Sequence, residues 1–293
     1  MAAVLFDSEF LKKLEVLRWT SKRIYHGRGR GEHSSVKIGT SLEFSDYRNY
    51  QVGDDYRYID WNIFSRLDRL FLKVFIAEED LSIHLLLDTS RSMLFGTPPK
   101  IDYAKRVAAA LGYIGLTNLD RVGITTFAAG VQDSLAPRRG RDHFLGLLEF
   151  CERIPCHGET DFNRSLMEYS FRSKRAGLAI VISDLFDPKG IERGLEALKF
   201  ARYDILLLQV IDEEEIRPAF GGSVKLLDLE TEREQRLTID EVLLTRYRER
   251  VQAWFARIED FCLKAQIEYL RASTLIPFED LILKYLRHGM HLQ

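Results

Sequence analysis

From residue 81 onward, short apolar segments of strand length alternate with segments of helical periodicity. This order constrains the fold most, because strands that alternate with helices form a mostly parallel sheet with helices on both faces. The predicted strands are Leu81–Leu87, Val122–Phe127, Leu178–Ile182, Asp204–Ile211 and Ile267–Leu270. The predicted helices are Ile101–Leu119, Phe144–Ile154, Phe162–Ser173, Lys189–Ala201, 241–265 and Pro277–Leu286. The sequence therefore predicts an α/β fold.

The first 80 residues follow a different pattern. Residues 7–19 place apolar side chains at helical spacing and predict a short amphipathic helix. Residues 20–37 form a basic arm, which we interpret first as a solvated loop. Residues 38–80 interleave acids, arginines and aromatic residues with little periodicity. We therefore expect an N-terminal extension over 1–80 that packs on a main domain over 81–293.

Four local predictions complete the outline. Leu70–Phe75 predicts a strand, and Val131–Leu135 predicts a strand that pairs beside the second strand of the main domain. Val224–Leu229 and Gln235–Ile239, separated by a charged turn, predict a hairpin. The acidic run Asp212–Glu215 is typical of a solvated loop.

Oxygen-bearing side chains lie in three loops near the ends of the predicted strands. Asp88, Ser90 and Ser92 follow the first strand. Thr160 lies in a later loop, and Asp184 follows a further strand. Ligands of open α/β sheets bind beyond the carboxyl ends of the strands, so we expect these residues to meet there. Carboxylates and hydroxyls are the hard ligands that a magnesium-class ion prefers.

The first of these loops also suits a simpler structure. Asp and Ser are common in turns and at the N-termini of helices, so Asp88–Ser92 alone is compatible with a helix cap. A cap, however, has no need of Thr160 and Asp184 at matching strand ends. The three loops together favour a metal site over a cap.

A second group of acids lies before residue 81. Asp54 and Asp55 are adjacent carboxylates, a pairing that serves acid–base catalysis or metal binding in some proteins. They serve equally well as ion-pair or cap partners of the nearby arginines Arg48, Arg57 and Arg66. We favour this structural clamp.

Composition excludes several classes of function. The net charge of −2 gives no general attraction to nucleic acid or membranes. No apolar run approaches the ~20 residues that span a bilayer, and the start of the chain lacks the features of a signal peptide. The three cysteines fit reduced thiols better than a disulfide framework. We expect a cytoplasmic protein without a membrane span.

Several catalytic motifs are missing from the sequence. It contains no Gly-x-x-x-x-Gly-Lys-Ser/Thr, Gly-x-Ser-x-Gly or His-Glu-x-x-His segment. Its histidines and cysteines do not show the spacing of a zinc site; the histidines considered are His26, His33, His143 and His157. These absences weigh against nucleotide hydrolysis by the chain itself and against zinc-dependent chemistry.

Two motifs point to a known family. Asp-x-Ser-x-Ser after an apolar strand, then Gly-x-Thr-Asp, then Ser-Asp after another apolar strand resemble the metal-ion-dependent adhesion site (MIDAS) of von Willebrand factor A domains. The segment before them is similar to the signature of the bacterial domain-of-unknown-function-58 family, which joins it directly to an A domain. That segment is Glu43-Phe44-x-x-x-Arg48-x-Tyr50-x-x-Gly53-Asp54-Asp55-x-Arg57-x-Ile59-Asp60-Trp61. The resemblance implies a Rossmann-like A-domain fold with an N-terminal extension.

The resemblance also implies roles for the five oxygen-bearing residues. Ser90 and Ser92 would bind Mg²⁺ or Mn²⁺ through their hydroxyls, and Thr160 would bind directly or through water. Asp88 and Asp184 would act largely through bound water. Carboxylates that contact the ion only through water neutralise less of its charge than direct ligands would. The ion therefore stays electrophilic and accepts a carboxylate oxygen of a partner as its last ligand.

The same resemblance implies a function. The family is expected to act as a metal-dependent protein–protein interaction module that works with MoxR-type AAA+ ATPases in chaperone-like assembly or activation of client proteins. The expected partner is that ATPase, or a client protein, offering an acidic side chain to the metal. On this interpretation the chain is not an enzyme, and ATP hydrolysis comes from the partner.

Two other functions stay open. Asp-x-x-x-Ser after a strand superficially resembles metal-dependent phosphohydrolases that form an aspartyl phosphate. Those enzymes place a second acid two residues after the first, where this chain has Ser90, a poor general acid. The basic arm, 20–37, could contact nucleic acid, but it lacks interleaved stacking aromatics.

Overall fold

The computed structural model describes residues 5–27, 34–37, 43–78, 81–172, 175–218, 221–230 and 234–288. The chain divides into a large unit, Met1–Ile24 with Leu81–Gln293, and a small unit, Tyr25–Asp80. The chain therefore leaves the small unit near residue 80. The start of the chain belongs to the large unit and not to the segment that follows it.

The strands occur where apolar residues alternate or run together. They are β1 (Ser34–Lys37), β2 (Glu43–Asn49), β3 (Phe71–Glu78), β4 (Ser82–Asp88), β5 (Arg121–Phe127), β6 (Val131–Arg138), β7 (Leu178–Ser183), β8 (Asp204–Ile211), β9 (Gly222–Leu227), β10 (Glu234–Ile239) and β11 (Glu268–Ser273). The hairpin predicted after residue 222 is confirmed, since β9 and β10 pair antiparallel.

Apart from α2 and α7, which were not predicted, each helix overlaps a segment of helical periodicity. They are α1 (Ser8–Gly27), α2 (Trp61–Leu67), α3 (Lys100–Thr117), α4 (Arg141–Arg153), α5 (Phe162–Arg172), α6 (Glu192–Phe200), α7 (Glu213–Ile216), α8 (Glu241–Lys264) and α9 (Phe278–His288). Asp240 caps α8, where its carboxylate accepts a hydrogen bond from the Leu243 amide at 2.7 Å. Within the described ranges, none of these helices combines the length and the apolar character needed to cross a membrane.

Six strands form the central sheet of the large unit, within the described residues. Their order in space is β11-β8-β7-β4-β5-β6, and neighbours are parallel except β5 and β6, which are antiparallel. The predicted α/β fold with a mostly parallel sheet is confirmed. After β4 the chain adds β5 and β6 toward one edge of the sheet, and after β7 it adds β8 and β11 toward the other edge. The sheet therefore has its switch point between β4 and β7, which is where open α/β sheets bind ligands.

Helices cover both faces of this sheet. Leu85 and Leu87 of β4 pack toward α1, α3, α4 and α9, whereas Leu86 packs toward α5, α6 and α8. This alternation follows from the strand period of two. The α1 residue Phe10 contacts Phe278 of α9, with ring centroids 5.1 Å apart, so α1 is part of the first layer. Every residue of β4 is buried, as expected for a strand in the middle of a parallel sheet.

The small unit is built around an antiparallel sheet with the order β1-β3-β2. The predicted clamp is confirmed for two arginines: the Arg48 guanidinium lies 2.7 Å from Asp54, and that of Arg57 lies 2.6 Å from Asp55. Asp60 caps α2, because its carboxylate accepts hydrogen bonds from two backbone amides of the first turn. These acids are structural partners of their own segment.

Two local predictions were wrong. Within the predicted basic loop 20–37, α1 continues to Gly27 and Ser34–Lys37 form β1; residues 28–33 lie outside the described residues. The acidic run is not a solvated loop, because its first residue, Asp212, accepts a hydrogen bond from the Glu214 amide and caps α7. The Glu215 side chain completes this capping box and is only 12% exposed.

Candidate metal centre

Asp88 lies at the end of β4, beside the switch point of the sheet, and is fully buried. Its Oδ2 accepts a hydrogen bond from the Ser183 hydroxyl at 2.6 Å, and its Oδ1 accepts one from the Ser90 amide at 2.9 Å. Burial and the nearby Asp184 carboxylate raise the pKa of Asp88 to about 7. Two hydrogen bonds fix the orientation of this carboxyl, and its ionised form is costly in the buried site. A nearby cation would stabilise that ionised form.

Ser90 and Ser92 bring two hydroxyls to the same point. The backbone of Ser90 is extended and leads into a 3₁₀ turn, Arg91–Leu94, so that the two side chains point the same way. Their Oγ atoms lie 3.0 Å apart. Adjacent ligands of an octahedral Mg²⁺, each about 2.1 Å from the ion, are also about 3 Å apart. The serine pair therefore has the spacing that such an ion requires.

The loop with Thr160 is tied to the serine loop by backbone hydrogen bonds. The Arg91 amide donates to the Gly158 carbonyl at 3.1 Å, and the His157 amide donates to the Thr89 carbonyl at 3.0 Å. Gly158 has a φ of +81°, a conformation that L side chains rarely adopt, so the Gly of the Gly-x-Thr-Asp motif permits this turn. Thr160 and Ser92 line the same cleft.

Thr160 is bound by an acid of its own chain. Its hydroxyl donates a hydrogen bond to Oε1 of Glu230 at 2.8 Å, and its amide donates to Oε2 of the same carboxylate at 3.1 Å. Glu230 lies in the turn that follows β9. The Thr160 loop therefore already binds a carboxylate.

Asp184, the residue after β7, is paired with a buried lysine. The ammonium of Lys100, at the start of α3, donates a hydrogen bond to Asp184 Oδ2 at 2.7 Å and a second one to Glu215. Burial lowers the pKa of Lys100, but the Asp184 and Glu215 carboxylates outweigh burial and raise that pKa overall. The aromatic ring of Phe186 lies 5.1 Å from the ammonium. The lysine thus balances part of the negative charge of the site.

The arrangement fits a divalent cation held by serine hydroxyls. Asp88, Ser90 and Ser92 offer oxygen atoms at one point. Both oxygens of Asp184 already accept hydrogen bonds, from Lys100 and at 3.1 Å from the Phe186 amide, which agrees with a contact through water. In the described ranges no group of three or more His, Cys, Asp or Glu side chains could hold a metal ion. A metal here would depend on the hydroxyls.

Four residues of this site were not predicted from the sequence: Lys100, Ser183, Glu215 and Glu230. One signal for Lys100 was present, because a cation in the first turn of a helix opposes the helix dipole and needs a compensating acid. Ser183 was visible as the residue before Asp184. The contacts of Glu215 and Glu230 leave no trace in local periodicity.

A search of protein-family models gives one match along most of this chain. The family described as "Protein of unknown function DUF58" matches residues 46–256. The uncharacterized protein Rv1480 of Mycobacterium tuberculosis (strain ATCC 25618 / H37Rv) is 28% identical over 242 residues, which are 81% of this chain and 76% of the relative. The uncharacterized protein Mb1516 of Mycobacterium bovis has the same identity and coverage.

Solved structures with low sequence identity also resemble the chain. The hypothetical protein BatB from Bacteroides thetaiotaomicron has a TM-score of 0.44 at 16% identity and covers 72% of this chain and 100% of its own. The SpRpn10 VWA domain has a TM-score of 0.40 at 10% identity, with 70% of this chain and 94% of its own covered. These structural overlaps are limited.

Proposed function

Since the chain belongs to the family described as Protein of unknown function DUF58, we propose that it is a metal-dependent protein-interaction module. In this proposal Mg²⁺ or Mn²⁺ is held by Asp88, Ser90, Ser92, Thr160 and Asp184. The module would work with a MoxR-type AAA+ ATPase in the assembly or activation of client proteins. The ATPase or the client would contribute an acidic side chain.

One observation carries the proposal. The Ser90 and Ser92 hydroxyls lie 3.0 Å apart beside the buried carboxyl of Asp88. A bound cation would supply electrostatic attraction for a carboxylate oxygen of the partner. Ser90 and Ser92 would bind the cation directly. Asp88 accepts a hydrogen bond from the Ser90 amide and so orients the serine loop.

The charge around the site supports a bound cation. The cleft that Ser92 and Thr160 line is also lined by acids, with one lysine; the acids are Glu159, Asp187, Glu215, Asp228 and Glu230, and the lysine is Lys189. The lysine is 2.6 Å from the carboxylate of Asp161 and is partly balanced there. A cleft with this excess of negative charge would repel an acidic partner. A bound cation is therefore needed before a carboxylate of the partner can enter.

The two alternative functions have less support. A phosphohydrolase would need an accessible carboxylate as nucleophile, but both oxygens of Asp88 accept hydrogen bonds from protein groups. Nucleic-acid contact was left open only as an alternative for the arm 20–37, of which residues 28–33 lie outside the described residues. We retain the interaction module, without catalysis by this chain and with a cytoplasmic location, as the proposal.

Metal binding is tested by titration calorimetry with MgCl₂ and MnCl₂. We expect binding by the natural chain and loss of at least about tenfold in affinity for Ser92→Ala, because one direct ligand is removed. Ser170→Ala is the matched control, since its hydroxyl donates to a carbonyl of its own helix α5. Equal affinity of Ser92→Ala and the natural chain, or no binding by either, would contradict the proposal.

The partner is tested separately by co-purification with a MoxR-type ATPase from the same organism. We expect the complex to weaken in EDTA and in Ser90→Ala, and the ATPase activity to remain with the partner. Recovery that neither EDTA nor Ser90→Ala reduces would show that the metal does not make the contact.

A further inference from the structure

Glu230 occupies a position that a partner would need. Its carboxylate accepts two hydrogen bonds from a single residue, one from the Thr160 hydroxyl at 2.8 Å and one from the Thr160 amide at 3.1 Å. Bonds to an ionised acceptor are stronger than bonds between neutral groups. Thr160 thus presents a two-donor cradle that fits one carboxylate.

The surroundings of Glu230 do not otherwise favour an acid. Other acids, Glu159, Asp187 and Glu215, line the same cleft. Coulomb repulsion from these groups opposes the entry of a further negative charge. The carboxylate is therefore held by the specific donors of Thr160, against the general charge of the cleft.

The segment that carries Glu230 is loosely attached. The strands of its hairpin, β9 and β10, have mostly exposed residues, and Leu227, next to the turn, is 55% exposed. Lys225 and Glu234 form an ion pair across the hairpin, with both side chains about half exposed. A two-stranded hairpin has little stability of its own, and few buried contacts oppose its opening.

We propose that the Thr160 amide and hydroxyl form a carboxylate-binding subsite and that Glu230 is its resident occupant. An acidic side chain of the partner takes this position by displacing the segment Asp228–Glu230 that follows β9. The hairpin therefore limits access to the site. The part of this inference that concerns the partner rests on the proposed function; the subsite and its occupant do not.

The expected size of the effect follows from tethering. A group held on a short flexible connection competes with an effective concentration in the millimolar range or above. A free carboxylate must overcome this competition in the natural chain. Removal of Glu230 should therefore strengthen binding of a simple carboxylate at Thr160 by about tenfold or more.

The experiment follows the Thr160 amide by ¹H–¹⁵N NMR during titration with sodium acetate. Sodium chloride at equal ionic strength corrects for salt, and EDTA removes metal. We expect the amide resonance to move upfield in Glu230→Ala, where the carboxylate is lost, and to return as acetate is added. The natural chain should respond at least about tenfold more weakly. Glu234→Ala removes an acid of the same hairpin that pairs with Lys225, and it should behave like the natural chain.

Two results would overturn the inference. One is a Thr160 amide at the same position in the natural chain and in Glu230→Ala. The other is an acetate response of equal strength in both. Glu230→Gln keeps the size of the side chain and loses its charge, so it distinguishes loss of the contact from local unfolding. The chemical shift of its Thr160 amide should lie between those of the natural chain and Glu230→Ala. Because EDTA is present throughout, failure of metal binding would leave this result intact, and the two proposals can fail separately.

Discussion

Asp54 and Asp55 in the small unit and Asp88 and Asp184 in the large unit are two groups of aspartates at or just beyond the ends of strands, but their surroundings differ. The first two meet arginines near the surface. Hydrogen bonds from the Gln51 amide and from Arg48 lower the pKa of Asp54. Asp88, by contrast, is fully buried, and burial raises its pKa. Similar sequence patterns thus produce ion-paired, partly exposed acids in one unit and a buried acid that is costly to ionise in the other.

The difference shows which acids can have a function. An exposed acid with an arginine partner is already balanced and stabilises its own segment modestly. A buried carboxylate costs several kcal/mol, so it either takes up a proton or is compensated by a nearby cationic group. At Asp184 that group is Lys100, and for Asp88 we propose a divalent cation.

The largest expected effect comes from removing the buried lysine that pairs with Asp184 and Glu215. Lys100→Met should destabilise the large unit by about 3–5 kcal/mol, because Asp184 and Glu215 lose their shared cation inside the protein. Urea unfolding followed by far-UV circular dichroism measures this change. Lys225→Met is the matched control: its ion pair with Glu234 is about half exposed, and the change should stay within about 0.5 kcal/mol. Equal effects of the two substitutions would contradict the contrast between buried and exposed pairs.

A second effect concerns pH and the centre of the large sheet. Burial lowers the pKa of His84, in β4, from 6.5 to about 4. Between these values the unfolded chain binds a proton that the folded chain does not, so the contribution of His84 to stability is present above pH 6.5 and is lost as the pH falls toward 4. The loss should approach about 3 kcal/mol at most, by the conversion of 1.36 kcal/mol for each pKa unit.

Urea unfolding at pH 7 and at pH 4.5 tests this dependence. His84→Asn keeps a polar group near Tyr169, whose hydroxyl lies 2.7 Å from the His84 Nδ1 atom, and it cannot titrate. We expect the stability of this variant relative to the natural chain to improve at the lower pH. His157→Asn, at an exposed position, should show no such improvement. A constant difference between His84→Asn and the natural chain at both pH values would refute the shift.

The smallest effect concerns the small unit. A hydrogen bond from Lys73 is the main reason that the pKa of Asp60 is lowered from 3.8. The folded unit therefore binds that proton less tightly than the unfolded chain, and the stability from Asp60 is present above pH 3.8 and lost below it. Asp60→Ala, which also removes the cap of α2, should increase hydrogen exchange in residues 61–67 at neutral pH.

The matched control is Asp68→Asn, at the other end of α2, where Asn tolerates the left-handed backbone of that position. The exchange of 61–67 should be unchanged in this variant. If Asp60→Ala destabilised the protein more than Lys100→Met, the acids of the small unit would contribute more to stability than the buried pair of the large unit, and the comparison between the units would be reversed.

The sequence was sufficient for most of the fold, because strand and helix patterns are local. The β8 segment Asp204–Ile211 was predicted with the bounds that it has in the structure. The basic arm was misinterpreted where α1 continues to Gly27, since a run of charged residues without a clear apolar period is typical of a loop. Asp212–Glu215 was misinterpreted because a buried acid is distinguished from a solvated one only by its partner.

The sequence by itself determined the α/β order, the family and the loop with Asp88, Ser90 and Ser92, because each depends on residues that are close together in the chain. Only the tertiary structure decided what surrounds that loop. Lys100 lies 84 residues from Asp184 and 115 from Glu215, and Glu230 lies 70 residues from Thr160. Contacts across such separations are set by how the sheet and its connections pack. These contacts place the buried ammonium of Lys100 beside Asp184 and the carboxylate of Glu230 on Thr160.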